Sequence, residues 1–236
     1  MKLLAFETST EALSVALSID GQVRERFELA PRRHAELALP WAEDLLAEAG
    51  VKRSQIDAIA VGRGPGAFTG VRLGIALAQG IALALDRPVV AVSTLAALAM
   101  RADASGNAPR VLAAIDARMG EVYCASFELR DGDTHALSEE RVGTPDSVVV
   151  PGEEGGWIGV GTGFGALEGA LSQRLASRLV SVDATQLPHA ADVARLAAKS
   201  FARGEAIAAE RIEPAYLRNN VALTLVEQQA LRDSKR

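Results

Sequence analysis

Two short stretches hold residue types suited to phosphate or metal chemistry. Glu7 is followed by Thr8, Ser9 and Thr10 at the end of an apolar run. There an acidic residue could hold a metal-bound water and the hydroxyls could touch a phosphate. Asp116 closes a second apolar run in the same way. Gly62, Gly64, Gly66 and Gly70 lie between a strand-like and a helix-like segment, where backbone N–H groups at a helix start can face an anion. The segment has neither GxGxxG spacing nor the Gly-Lys-Ser/Thr ending of a Walker loop. Two readings stay open and level. One is a weak or relict nucleotide loop through Glu7, Thr8, Ser9, Gly64, Gly66 and Asp116. The other is a set of glycines that only permit tight turning and close helix packing.

Other chemistries find less to work with. His34, His135 and His189 are far apart, and none has a second His four residues on, so no helical metal pair is expected. His34, beside Arg32 and Arg33, reads more readily as a capping or solvated residue than as a ligand. No GxSxG elbow is present, and Cys124 stands alone inside the apolar run Val122 to Phe127. A buried, inert thiol in a reducing compartment fits that setting, and no catalytic nucleophile is expected.

The elements that must position these residues follow from periodicity. Leu3–Phe6, Leu13–Ile19 and Gln22–Leu29 read as strands, the last two joined by the hairpin pair Asp20-Gly21. A helix is expected from His34 to Ala49, a strand at Ile56–Val61, a helix from Thr69 to Leu85, a strand at Val89–Val92 and a short helix at Thr94–Met100. After the loop-like stretch Arg101–Pro109 the pattern restarts, with strands at Val111–Asp116 and Glu121–Leu129. Ile59-Ala-Val-Gly-Arg-Gly-Pro-Gly66 recurs as Ile158-Gly-Val-Gly-Thr-Gly-Phe-Gly165, which points to an internal duplication. Helices are expected at Ala166–Ala176 and from Pro188 to Arg203. The chain therefore divides into lobes at 1–106 and 107–225, with a polar tail at 226–236.

Composition narrows the class. A net charge of −5 and 4% aromatic residues argue against an autonomous RNA-binding surface. The N-terminus meets Glu7 too early for a signal peptide, and the apolar window Val71–Leu85 holds Arg72 and Gln79 and is short for a bilayer. In the helix Thr69–Leu85, Gly70, Gly74, Ala78 and Ala82 recur every four residues. That smooth stripe could admit a neighbouring helix, either from another chain or within the chain's own core.

The segments FETSTEALSVAL, RRHAELALP, GRGPGAFTGVRLGIALAQGIALAL, AIDARMGEVY, PHAADVARLA and EPAYLRN together resemble the TsaB family, formerly YeaZ, from Met1 to about Val221. The resemblance implies a duplicated actin-like α/β fold, of the sugar kinase, Hsp70 and actin type. It implies a non-catalytic relative of the metal- and nucleotide-binding TsaD-type transferase subunit. Such a chain pairs with that subunit and works with a TsaE-type ATPase to place N6-threonylcarbamoyladenosine at position 37 of tRNA. Alone it forms a homodimer, and it meets tRNA only through the complex, in the cytoplasm. No cofactor is implied beyond weak or relict nucleotide binding, and Glu7 stands where relatives carry Asp. The family's partner surface falls on the first two helices, here through His34, Leu37, Trp41, Leu45, Gly70, Val71, Gly74, Ala78 and Ala82. The alternative is a free-standing actin-like ATP-dependent kinase acting through Glu7, Asp116 and both glycine loops. A metallopeptidase is a third reading, against which the lack of paired histidines counts.

Overall fold

A computed structural model describes residues 1–103 and 109–218. The linker expected at Arg101–Pro109 falls partly, and the tail at 226–236 wholly, outside the described residues.

The chain opens with β1 (Lys2–Glu7), β2 (Ala12–Ile19) and β3 (Gln22–Leu29), an antiparallel meander in which Ile19 pairs with Gln22. Asp20 and Gly21 both take positive φ, at 50° and 87°, the conformation that a two-residue hairpin matched to strand twist requires. Then come α1 (His34–Glu48), β4 (Ala58–Gly62), α2 (Phe68–Leu85), β5 (Val89–Val92) and α3 (Thr94–Ala99). The second half gives β6 (Arg110–Arg118), β7 (Glu121–Arg130), β8 (Asp133–Ala136), β9 (Arg141–Gly143), β10 (Trp157–Val160), α4 (Ala170–Arg174), β11 (Leu179–Asp183) and α5 (Ala190–Ala202).

The first sheet has the order β3-β2-β1-β4-β5 and the second, read in the same sense, β8-β7-β6-β10-β11. In each, the first three strands are antiparallel and the last two join in parallel. β6 thus repeats β1, β10 repeats β4, and the glycine loops that follow β4 and β10 are equivalent. The duplication read from the recurring Ile, Val and Gly positions is the duplication of these two sheets.

Strand alternation sorts the core into layers. On β1, Leu4 and Phe6 face α1 and α2, while Leu3 and Ala5 face a central cluster. That cluster is built on α3 and α5, which lie between the sheets and pack on each other. α3, from the first half, packs on β6, β7 and β8, and α5, from the second half, packs on all five strands of the first sheet. Trp157, Phe164, Leu171 and Leu175 fill the outer side of the second sheet.

The expected helix at Ala166–Ala176 is replaced by a 3-10 turn and the five-residue α4. Phe164 is drawn under β10, its ring 2.7 Å from where a Gly159 Cβ would stand. The chain then doubles back through Leu167, Glu168 and Gly169, all at positive φ, before helical geometry can begin. α5 starts at Ala190 rather than Pro188, because its first amides bond to β2 and β3, as described below.

Candidate functional site

A cleft of about 1150 Å³ separates the lobes. One wall is the β1–β2 turn with the start of α2. The other holds Ile115–Arg118 and Thr162, and Ala215–Arg218 cross its mouth. Both acidic turns singled out above end at this cleft, as the duplication requires.

Glu7 does not face it. The side chain is buried; Oε1 accepts the Ser9 amide at 2.8 Å and the Ser9 hydroxyl, and Oε2 accepts the Thr94 hydroxyl at 3.1 Å. Burial pushes the Glu7 carboxyl above its ordinary range, against the pull of those Ser9 and Thr94 hydrogen bonds. The glycines explain how it fits. A Cβ on Gly62 would stand 1.9 Å from Glu7 Oε2, on Gly66 2.4 Å from the Ser9 carbonyl, and on Gly70 2.1 Å from the Thr8 carbonyl. The Thr8 hydroxyl donates to the Gly70 carbonyl at 2.7 Å, and the Ala67 amide donates to the Ser9 carbonyl at 2.7 Å. Gly64, at φ 92°, donates its amide to Thr94 at 3.2 Å. Glu7, Thr8, Ser9, Gly64 and Gly66 are therefore brought together, but engaged with one another. The glycines let the loop and α2 close onto the β1–β2 turn.

Asp116 lies on the opposite wall and does line the cleft. Its carboxylate accepts the Arg118 guanidinium at 2.7 Å and the Arg118 amide at 2.8 Å, and its own amide donates to Thr162 at 3.1 Å. Among the described residues no three His, Cys, Asp or Glu converge as a metal site. Cys124 is packed in the second sheet, and burial raises its thiol to about 11, where it is a poor nucleophile at neutral pH.

The expected partner surface needs correction. Val71, Gly74, Ala78 and Ala82 on α2, and Leu45 on α1, are buried in the chain's own core. The small stripe lets α2 approach its own sheet; a Gly74 Cβ would stand 2.5 Å from Thr8 Oγ1 and 3.3 Å from Val61. Gly70 touches Thr8, and Leu37 and Trp41 are half-buried against the same core. His34 donates Nε2–H toward the Thr10 and Ala12 carbonyls, each at 3.1 Å, so it ties the β1–β2 turn rather than facing outward. What α2 turns to solvent is a second small series, Ala76, Gly80 and Ala84, with Phe68 54% and Leu83 65% exposed. Leu39 of α1 is also exposed, at 46%. The four-residue spacing from Arg72 through Ala76 and Gly80 to Ala84 was present in the sequence and could have marked this face.

Two further clusters join residues too far apart for sequence spacing to reveal. Glu25 of β3 accepts the Ser14 hydroxyl at 2.6 Å and the Ala191 amide at 2.9 Å and meets His189 Nδ1 at 2.9 Å. Ser14 accepts the Ala190 amide at 2.8 Å, and Phe27 stacks on His189. The first sheet thus caps α5. Burial pushes the Glu25 carboxyl up, but hydrogen bonds from His189, Ser14 and Ala191 outweigh it and hold the group below its ordinary value. At the cleft mouth Arg72 lies 3.6 Å from the Phe68 ring centre and donates Nε–H to the Tyr216 hydroxyl at 2.6 Å.

Residues 27–225 match the family model described as TsaD, tRNA N6-adenosine threonylcarbamoyltransferase. Over nearly its whole length the chain is 46% identical to the tRNA threonylcarbamoyladenosine biosynthesis protein TsaB of Escherichia coli (strain K12), with 94% of this chain and 96% of that protein covered. The chain belongs to the TsaB family. The Haemophilus influenzae TsaB is 39% identical over 94% of this chain and 95% of its own. A solved structure of YeaZ from Pseudomonas aeruginosa is 51% identical and superposes with a TM-score of 0.84, covering 92% of this chain and 99% of that one. The two-lobed fold of this TsaB-family chain is the fold of that solved structure.

Proposed function

We propose that this chain is a non-catalytic subunit of the machinery that makes threonylcarbamoyladenosine on tRNA, docking onto a TsaD-type transferase subunit and acting with a TsaE-type ATPase in the cytoplasm. The end-to-end likeness to a protein named for that biosynthesis carries the reading. The cleft supports its non-catalytic half: Glu7 is buried under hydrogen bonds from Ser9 and Thr94, and the glycine loop is filled by the chain's own turn. A free-standing kinase would need Glu7 turned into the cleft and Asp116 released from Arg118. We assign docking to the outward face of α2, with Phe68, Ala76, Gly80 and Leu83, and to neighbouring Leu39 of α1. This face also serves the homodimer when the partner is absent. Small side chains there let helix axes approach to about 8 Å.

The test is reconstitution. The protein alone is expected neither to modify tRNA nor to turn over ATP; with the two partner subunits it is expected to be required for modification at adenosine 37. Modification by the protein alone, or full activity of the partners without it, refutes the proposal.

A further inference from the structure

After α5 the chain runs back across both lobes as a strap. Ile207 exchanges backbone hydrogen bonds with Val89 at 2.8 Å each way, and Gln79 of α2 donates to the Ala209 carbonyl at 3.1 Å. Ala209 and Ile212 are buried with the residues under α2. This first stretch is firmly anchored. The next is not: the Ala215 amide donates to the Arg63 carbonyl at 2.9 Å, and half-exposed Tyr216 meets Phe68 and Arg72. Arg218 then reaches the second lobe, donating to the Ala117 carbonyl at 3.2 Å and pairing with Glu121, with Met119 Sδ 3.7 Å away. The mouth of the cleft is crossed by Ala215–Arg218, which hold the start of α2 at one end and the β6–β7 turn at the other.

We infer that residues 214–218 are an interlobe latch, tightened by a partner that engages Phe68 and Arg72. The chemistry lies in the guanidinium. Its Nε–H goes to Tyr216, while its terminal nitrogens have no acceptor among the described residues. A carboxylate on the partner can take those nitrogens in bidentate fashion without displacing Tyr216. It thereby fixes the Arg72 rotamer that the strap needs. A half-exposed segment with few buried contacts opens locally at far lower cost than the whole fold, so one such contact can shift its closed-to-open ratio by about an order of magnitude. Linkage makes the effect reciprocal: whatever opens the latch at its distant end must weaken the partner by the same factor. The coupling rests on the docking reading above; the latch itself does not.

The substitution Arg218→Ala cuts the latch at the second lobe, away from the docking face. Hydrogen exchange of the full chain should speed up at 117–121 and 214–217 while β1, β4 and α2 stay protected, with little change in Tm. Affinity for the TsaD-type subunit should fall about threefold to tenfold, and Tyr216→Phe, which removes only the hydroxyl, should act in the same direction. Unchanged exchange at 117–121 overturns the latch. Faster exchange with unchanged affinity overturns the coupling. If the wild-type chain does not bind the subunit, the docking reading falls, and the exchange measurement decides the latch by itself.

Discussion

The two lobes share a sheet and differ in what covers it. On the first, α1 and α2 run 15 and 18 residues. On the second, the corresponding outer layer is a five-residue α4, a 3-10 turn at Pro145–Ser147 and the side chains of Trp157 and Phe164. Duplication preserved what the sheets demand of one another. Central strands β1 and β6 each carry an acidic residue toward their C-terminal ends, Glu7 and Asp116, and each glycine loop is pressed against its own lobe's first strand. Gly161 and Gly163 abut Ala114 as Gly62 abuts Glu7. The difference teaches that long covering helices, together with the burial of Glu7 where Asp116 lines the cleft, set the first lobe apart. Among the described residues, the exposed apolar helix face lies on the lobe assigned to docking.

The largest expected effect breaks the contrast between the inward and outward sides of α2. Ala78→Arg buries an unpaired charge in the first lobe's core, at a cost of about 3–5 kcal/mol. That is a large share of ordinary domain stability, so the variant should be largely unfolded in a thermal melt. Leu83→Asp, on the opposite side, should leave Tm within experimental scatter and weaken partner titrations about tenfold or more, which is ~1.4 kcal/mol or above. A folded, binding-competent Ala78→Arg protein would reverse the assignment of the two faces.

The substitutions Gly62→Ala and Gly163→Ala, one in each glycine loop, sharpen the comparison of the loops. Each new methyl group meets fixed atoms, Glu7 Oε2 at 1.9 Å in one lobe and Ala114 Cβ at 2.8 Å in the other. Both should lower stability by about 1–3 kcal/mol, the range for overpacking. A neutral Gly163→Ala would mean that the second loop has slack that the first lacks. Gly80→Ala has open space around it and should gain up to ~1 kcal/mol from helix propensity.

The smallest effects are pH-dependent and of opposite sign. The Glu25 carboxyl is held below its ordinary value of 4.5, so its contribution is fully present above that pH and fades as pH falls through the folded value. Glu25→Gln should flatten the acid limb of a Tm-versus-pH curve. Glu7 is raised above 4.5, so its ionisation opposes folding above that pH and the penalty is relieved on acidification. Glu7→Gln should remove that slope. The same slope in both variants would refute the contrast.

Much of this was legible in the residues themselves. The Asp20-Gly21 hairpin, the alternating strands and the recurring Ile-x-Val-Gly-x-Gly-x-Gly specify local geometry, because backbone permissiveness and side-chain period act over a few residues. The family could be read from the same strings, and so could the apolar character of α2. Which side of α2 faces inward could not be read. Gly70-Gly74-Ala78-Ala82 and Ala76-Gly80-Ala84 have the same four-residue spacing. Only the position of β1 and β4, where Thr8 and Val61 press on Gly74, selects between them. The fate of Glu7 was equally hidden: a carboxylate at a strand end is catalytic or structural according to what surrounds it, and Thr94 arrives from 87 residues away. The Glu25–His189 cap, separated by 164 residues, and the strap that carries Arg218 to the second lobe exist only once both sheets are in place, because long-range partners are set by packing and not by spacing along the chain.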